Sequence, residues 1–138
     1  KLSGSCRENE TEKYRENFEK GVTLLEKKLA LIRKYDPNSI VVIQGDHGPS
    51  IRGDCTRLKN YGPDEITELL MRERFGTLVA IHWPDKYKAA KYDKNLLINQ
   101  NIFPVIFSYL YDSPKPLSLQ LKPIVKFKGR MIKNGKFM

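Results

Sequence analysis

The sequence predicts an α/β fold in which parallel strands are flanked by helices, followed by a small β-rich C-terminal tail. Three observations carry that reading. Ile40-Val41-Val42-Ile43 is an unbroken β-branched run, and Thr77–Trp83 is a second apolar run closed by Pro84. Apolar runs without alternation read as strands buried on both faces, as in the middle of a parallel sheet. Segments before, between and after them repeat apolar residues every three or four positions, the helical period. From residue 117 the pattern shortens to brief alternating runs around Asn134-Gly135, the strongest two-residue hairpin signal.

In order, Glu12–Tyr35 reads as a helix. Tyr14, Phe18, Val22, Leu25, Leu29 and Ile32 form its apolar stripe, and Asp36-Pro37-Asn38 ends it. The strand 39–44 follows. Residues 48–62 show no period, and a loop of that length in a compact domain is usually functional or disordered. A helix starts near Pro63 or Asp64, with Ile66, Leu69, Leu70 and Phe75 facing inward and Gly76 just past its end. The strand 77–83 is followed by a polar loop over Asp85–Asn95. Asn101–Tyr111 reads as a helix capped by Asn99 or Asn101, with Ile102, Phe103, Ile106, Phe107 and Leu110 on its inner face. Short strands are expected at Leu117–Leu121, Ile124–Phe127 and Met131–Phe137.

With 138 residues, the chain is long enough for one modest core. A makeup of 40% hydrophobic and 30% charged residues fits a soluble globular protein, and no apolar run approaches the ~18 residues of a membrane span. The chain opens on Lys1 and not on Met, so it is expected to be a fragment of a longer protein. Net charge is +9, and most of the excess lies after Ser113, where there are seven basic and no acidic residues. Such a tail can meet an anionic membrane surface or another polyanion, or its lysines can simply guard a strand edge. It identifies no specific nucleic acid. Cys6 and Cys55 form no C-x-x-C pair, which excludes a thiolate zinc ribbon; one disulfide and two free thiols both remain open.

The strand 39–44 stops at Gly45, and Asp46 and His47 follow at once. In open α/β sheets, ligands bind outside the carboxyl ends of strands. One carboxylate and one imidazole suit Zn²⁺ or Mn²⁺ better than Mg²⁺ or Ca²⁺. The flanking Gly45 and Gly48 let the backbone turn. Two donors do not complete a zinc shell, which takes at least three from protein. In the simpler alternative, Asp46 caps a turn and His47 is hydrogen-bonded beside it. His82 ends the other strand and could face the same site or pack beside Trp83. Arg52, in the loop after the turn, could hold charged ester oxygens with its planar fork. Two rival readings are a self-contained zinc domain using Asp46, His47, Cys55 and His82, and a non-enzymatic module binding polyanions through its tail.

The stretch Ile-Val-Val-Ile-Gln-Gly-Asp-His-Gly-Pro (residues 40–49) resembles the second metal-binding signature of the alkaline phosphatase superfamily, in its sulfatase-like and lipoteichoic-acid-synthase-like branch. The likeness extends over roughly residues 12–112, through the first helix with Asp-Pro-Asn, Glu73–Leu78, Trp83-Pro84 and Asn101–Leu110. It implies that 1–112 is the C-terminal half of an alkaline-phosphatase-like sandwich and that 113–138 is an added basic tail. It also implies that Asp46 and His47 bind the catalytic metal. The nucleophile (Thr, Ser or a modified Cys) and a further aspartate are then expected in a preceding N-terminal part of the protein, so this chain alone is expected to be inactive. The implied reaction is metal-assisted attack on a phosphate or sulfate ester, with an envelope glycan or lipid as acceptor. The implied location is extracytoplasmic, as part of a membrane-anchored protein.

Overall fold

A computed structural model describes residues 10–49, 60–94 and 96–138. The fold is mixed α/β with two small antiparallel sheets. In chain order the elements are α1 (Glu10–Tyr35), β1 (Val41–Gln44), α2 (Glu68–Phe75), β2 (Val79–His82), α3 (Lys86–Ala89), α4 (Ile102–Tyr111), β3 (Ile124–Phe127), β4 (Arg130–Lys133) and β5 (Lys136–Phe137). Short 3-10 turns lie at Pro63–Glu65, Asn99–Asn101 and Lys115–Leu119.

The strands do not run parallel as the sequence predicts. β1 and β2 run antiparallel, with Val41 opposite His82 and Gln44 opposite Val79. Each alternates half-buried and exposed residues and is not buried on both faces. Val42 and Leu78 are apolar yet exposed, and they erase from the sequence the alternation that marks a one-sided strand. Among the described residues this sheet has two strands only.

α1 is a single long helix, but only Leu25, Leu29 and Ile32 of its stripe are half-buried. Tyr14, Phe18 and Val22 stay exposed, with Tyr14 and Phe18 stacked on each other at 6.5 Å. The next helix is broken where the sequence predicts continuity. Pro63–Glu65 makes one 3-10 turn, Ile66 is extended and buried, and Thr67 then caps α2 by accepting from Leu70 N–H. Met71 is the buried member of α2, while Leu69 is half-exposed and Phe75 is partly covered by the Phe127 ring.

The core sits around α4. Val105 and Tyr109 pack with Ala89 and Tyr92, and Ile40, Trp83, Leu96 and Leu117 close around them. Trp83 lies 4.8 Å from the Tyr109 ring, and the Tyr109 hydroxyl accepts from Asp85 N–H. The buried face of α4 is Ile102, Val105, Ser108 and Tyr109. The expected inner residues Phe103, Phe107 and Leu110 face outward instead. This helix is apolar nearly all round, so its period alone cannot select the buried side. The expected loop after Pro84 contains α3, whose start is capped by Asp85 accepting from Tyr87 and Lys88 N–H.

The tail forms an antiparallel three-stranded sheet, β3-β4-β5. Leu117–Leu121 is not a strand, because Pro114 and Pro116 set up a 3-10 turn over Lys115–Leu119. Asn134-Gly135 forms the expected turn, with φ of 50° and 78°. The tail is tied to the body at several points. Arg72 donates to the Gly135 carbonyl, Lys128 donates to the Tyr61 carbonyl, and Phe127 lies 6.1 Å from the Phe75 ring. Asn101 does not cap α4 with its side chain. It is buried and clasps the Leu121 backbone, donating to its carbonyl at 2.9 Å and accepting from its N–H at 2.7 Å.

Two predictions follow from these contacts. Asn101→Ala removes both bonds to Leu121 and leaves that backbone unpaired, so denaturant unfolding should show a loss of about 1–3 kcal/mol. The second involves Tyr92, which donates to Asp112 Oδ1 at 2.6 Å. That bond, aided by Lys91 and Lys88, holds the Asp112 carboxyl below its ordinary range, and the same bond raises the Tyr92 phenol. The stabilisation is therefore complete above the ordinary carboxylate pKa and below the ordinary phenol pKa. It is lost as pH falls through the lowered Asp112 value or rises through the raised Tyr92 value. Urea midpoints measured against pH should lose part of their acid limb in Asp112→Asn.

Candidate functional site

The turn Gly45–Pro49 leaves β1 and is fixed from three sides. Gly45 N–H donates to the Leu78 carbonyl at 2.9 Å, extending the β1–β2 ladder by one bond. The Asn99 amide donates to the Gly45 carbonyl at 2.7 Å, and its oxygen accepts from the Thr77 hydroxyl at 3.0 Å. Gly48 N–H donates to the Arg74 carbonyl at 2.9 Å, seating the turn on the C-terminal end of α2. A Cβ at Gly48 would lie 1.8 Å from the Glu73 carbonyl oxygen, so the seat admits only glycine. The reason for glycine here is close approach, whereas the sequence suggests freedom of turn. Neither Gly45 nor Gly48 has a positive φ.

Asp46 and His47 stand on this seat. His47 N–H donates to Asp46 Oδ1 at 3.0 Å. His47 Nδ1 lies 2.8 Å from the Gly48 carbonyl oxygen. A carbonyl only accepts, so Nδ1 must carry the hydrogen and Nε2 of the neutral ring holds the free lone pair. Nε2 lies 3.8 Å from Asp46 Oδ2. The two side chains are 52% and 90% exposed for His47 and Asp46, so both donors are open to incoming groups. They line a cavity of about 610 Å³, with Thr77 and Asn99 on one side and Val125 of β3 contributed by the tail.

The other predicted site residues are not brought here. His82 pairs with Val41 at the start of β1, while Asp46 follows the end of β1. The length of the ladder, roughly 10 Å at ~3.3 Å per residue, separates the two positions. His82 instead lines a second cavity of about 250 Å³ against Leu29, Ile32 and Asp36. The reason is strand direction: in an antiparallel pair the two carboxyl ends lie at opposite edges. A four-ligand zinc set that needs His82 beside Asp46 is therefore not assembled. Arg52, Cys6 and Cys55 lie outside the described residues. Gln44 is exposed.

Among the described residues no group of three or more His, Cys, Asp or Glu side chains could hold a metal. Asp46 and His47 remain as a pair of donors. Asn99 and Thr77 are the site residues that sequence reasoning missed. An Asn just before a helix reads as a cap, and nothing in the pattern tells that its amide reaches back to Gly45. Comparison with known families, with curated proteins and with solved structures finds no match, so the chemistry of the site rests on its own residues.

Gly48→Ala should displace the turn and cost about 1–3 kcal/mol in thermal or denaturant unfolding. Gly45→Ala, whose new Cβ would have its nearest neighbour at 3.5 Å, should change stability by less than about 1 kcal/mol.

Proposed function

We propose that this chain is part of a metal-dependent hydrolase or transferase acting on phosphate or sulfate esters, with Asp46 and His47 as metal ligands. The observation that carries the reading is the bond from His47 Nδ1–H to the Gly48 carbonyl, which leaves Nε2 free 3.8 Å from a carboxylate oxygen. Metal-bound histidines characteristically donate their other N–H to a carbonyl or carboxylate in this way. Two donors at that spacing can share one ion with bonds of ~2.0–2.2 Å after a small side-chain adjustment. The donor set favours Zn²⁺ or Mn²⁺ over Mg²⁺ or Ca²⁺. Such an ion lowers the pKa of a nucleophile and offsets charge on the group transferred.

The remaining ligands and the nucleophile are assigned to another part of the same protein, within a larger alkaline-phosphatase-like sandwich. Several surfaces support that assignment. The β1–β2 sheet has two strands among the described residues, fewer than an independently stable sheet needs. Tyr14, Phe18 and Val22 on α1, and Phe103, Phe107 and Leu110 on α4, leave apolar stripes exposed. No described helix is long and apolar enough to cross a membrane. The membrane anchor and extracytoplasmic placement, with an envelope glycan or lipid as acceptor, are part of this proposal and rest on the resemblance of residues 40–49.

In the full-length protein, Asp46→Ala and His47→Ala should each lower ester turnover by about a hundredfold or more, since loss of partners one shell further out already costs 10–100-fold. Bound metal measured by elemental analysis should fall in parallel. Activity that survives both substitutions would contradict the assignment.

A further inference from the structure

Arg74 also lines the cavity that holds Asp46 and His47, and its guanidinium has no hydrogen-bond or ion-pair partner among the described residues. Its neighbour Arg72 is the contrast. Arg72 is exposed, yet it is engaged twice, by Glu68 at 2.7 Å and by the Gly135 carbonyl at 2.6 Å. Arg74 is the more buried of the two. Its side chain is partly exposed and none of its nitrogens is buried without a partner, so its donors meet water and are open to an incoming anion. Its backbone carbonyl accepts from Gly48 N–H, so residue 74 is attached directly to the Asp-His turn. Among the described lining residues it is the only Arg or Lys, facing one carboxylate and one imidazole.

We infer that Arg74 binds the tetrahedral oxyanion of the ester in this cavity, its fork holding two non-bridging oxygens while Asp46 and His47 serve the metal side. The inference rests on the proposed ester chemistry and supplies the anion subsite that the metal pair lacks. Arginine suits the task because its planar donors match phosphate or sulfate oxygens two at a time. The competing explanation is that Arg74 merely offsets the partial negative charge at the C-terminal end of α2. Lysine there would do that equally well, whereas it would not replace the fork.

The test is a titration of this chain, without metal, by inorganic phosphate and separately by inorganic sulfate, followed through the amide resonances of Gly45–Gly48 and Thr77. Saturable shifts are expected with at least one anion, and the anion that binds tighter identifies the ester class. Arg74→Gln should weaken that binding about tenfold or more and Arg74→Lys severalfold, with thermal unfolding unchanged in both. No saturable shift in the unsubstituted chain, equal affinity in Arg74→Gln, or full retention in Arg74→Lys would overturn the inference. The outcome is separable from the metal assignment. Ester turnover that survives Asp46→Ala and His47→Ala would remove the metal reading and leave the anion titration standing.

Discussion

One short hydrogen-bonded approach governs the site: the Gly48 backbone lying against the C-terminal end of α2. The N–H to Arg74 bond and the absence of a Cβ together let two backbones meet where any side chain would strike the Glu73 carbonyl. The rest of the geometry depends on that seat. With Gly48 fixed, its own carbonyl is presented to His47 Nδ1, which settles the ring's tautomer. With Gly45 held by Leu78 and Asn99, Asp46 is carried at a set distance from the ring. A loop pinned at both ends can hold two exposed side chains together without burying either.

The element order was largely legible, for clear physical reasons. α1 has a strong period, the β1 and β2 runs are β-branched and bounded by turn residues, and Asn134-Gly135 supplies the positive φ angles that a tight hairpin demands. The second tight turn was hidden, since Lys128-Gly129 adopts the same left-handed pair with a residue that rarely does so. Strand direction was not legible either. Exposed Val42 and Leu78 mimic the continuous apolar run of a buried parallel strand. The direction also decides between the two positions open to His82, because an antiparallel partner carries its carboxyl end away from Asp46. On α4, apolar residues on every side hid the buried face, which includes the small Ser108 and leaves Phe103 and Phe107 outside.

The site shows the same division. Asp46 and His47 could be picked out because their types and their position after a strand point to chemistry. Asn99 and Thr77 could not, because the Asn99 amide reaches across the fold to Gly45 and is itself held by the Thr77 hydroxyl, contacts between residues distant in sequence. The tail illustrates this too. Its charge dominated the sequence, but structurally its inner face matters as much: Val125 walls the cavity, and Phe127 meets Phe75. Lys128 and Arg130 are partly spent on holding the sheet against residues 61–64. A basic segment can thus be an architectural brace before it is a binding surface.

The turn delivers His47 with Nδ1 protonated and Nε2 free beside Asp46. Long-range ¹H–¹⁵N correlation of the imidazole reads this directly. The Nδ1–H tautomer is expected for the neutral ring, with a selective shift of Nε2 when Zn²⁺ is added. A neutral ring protonated at Nε2, or a zinc response at Nδ1, would contradict it.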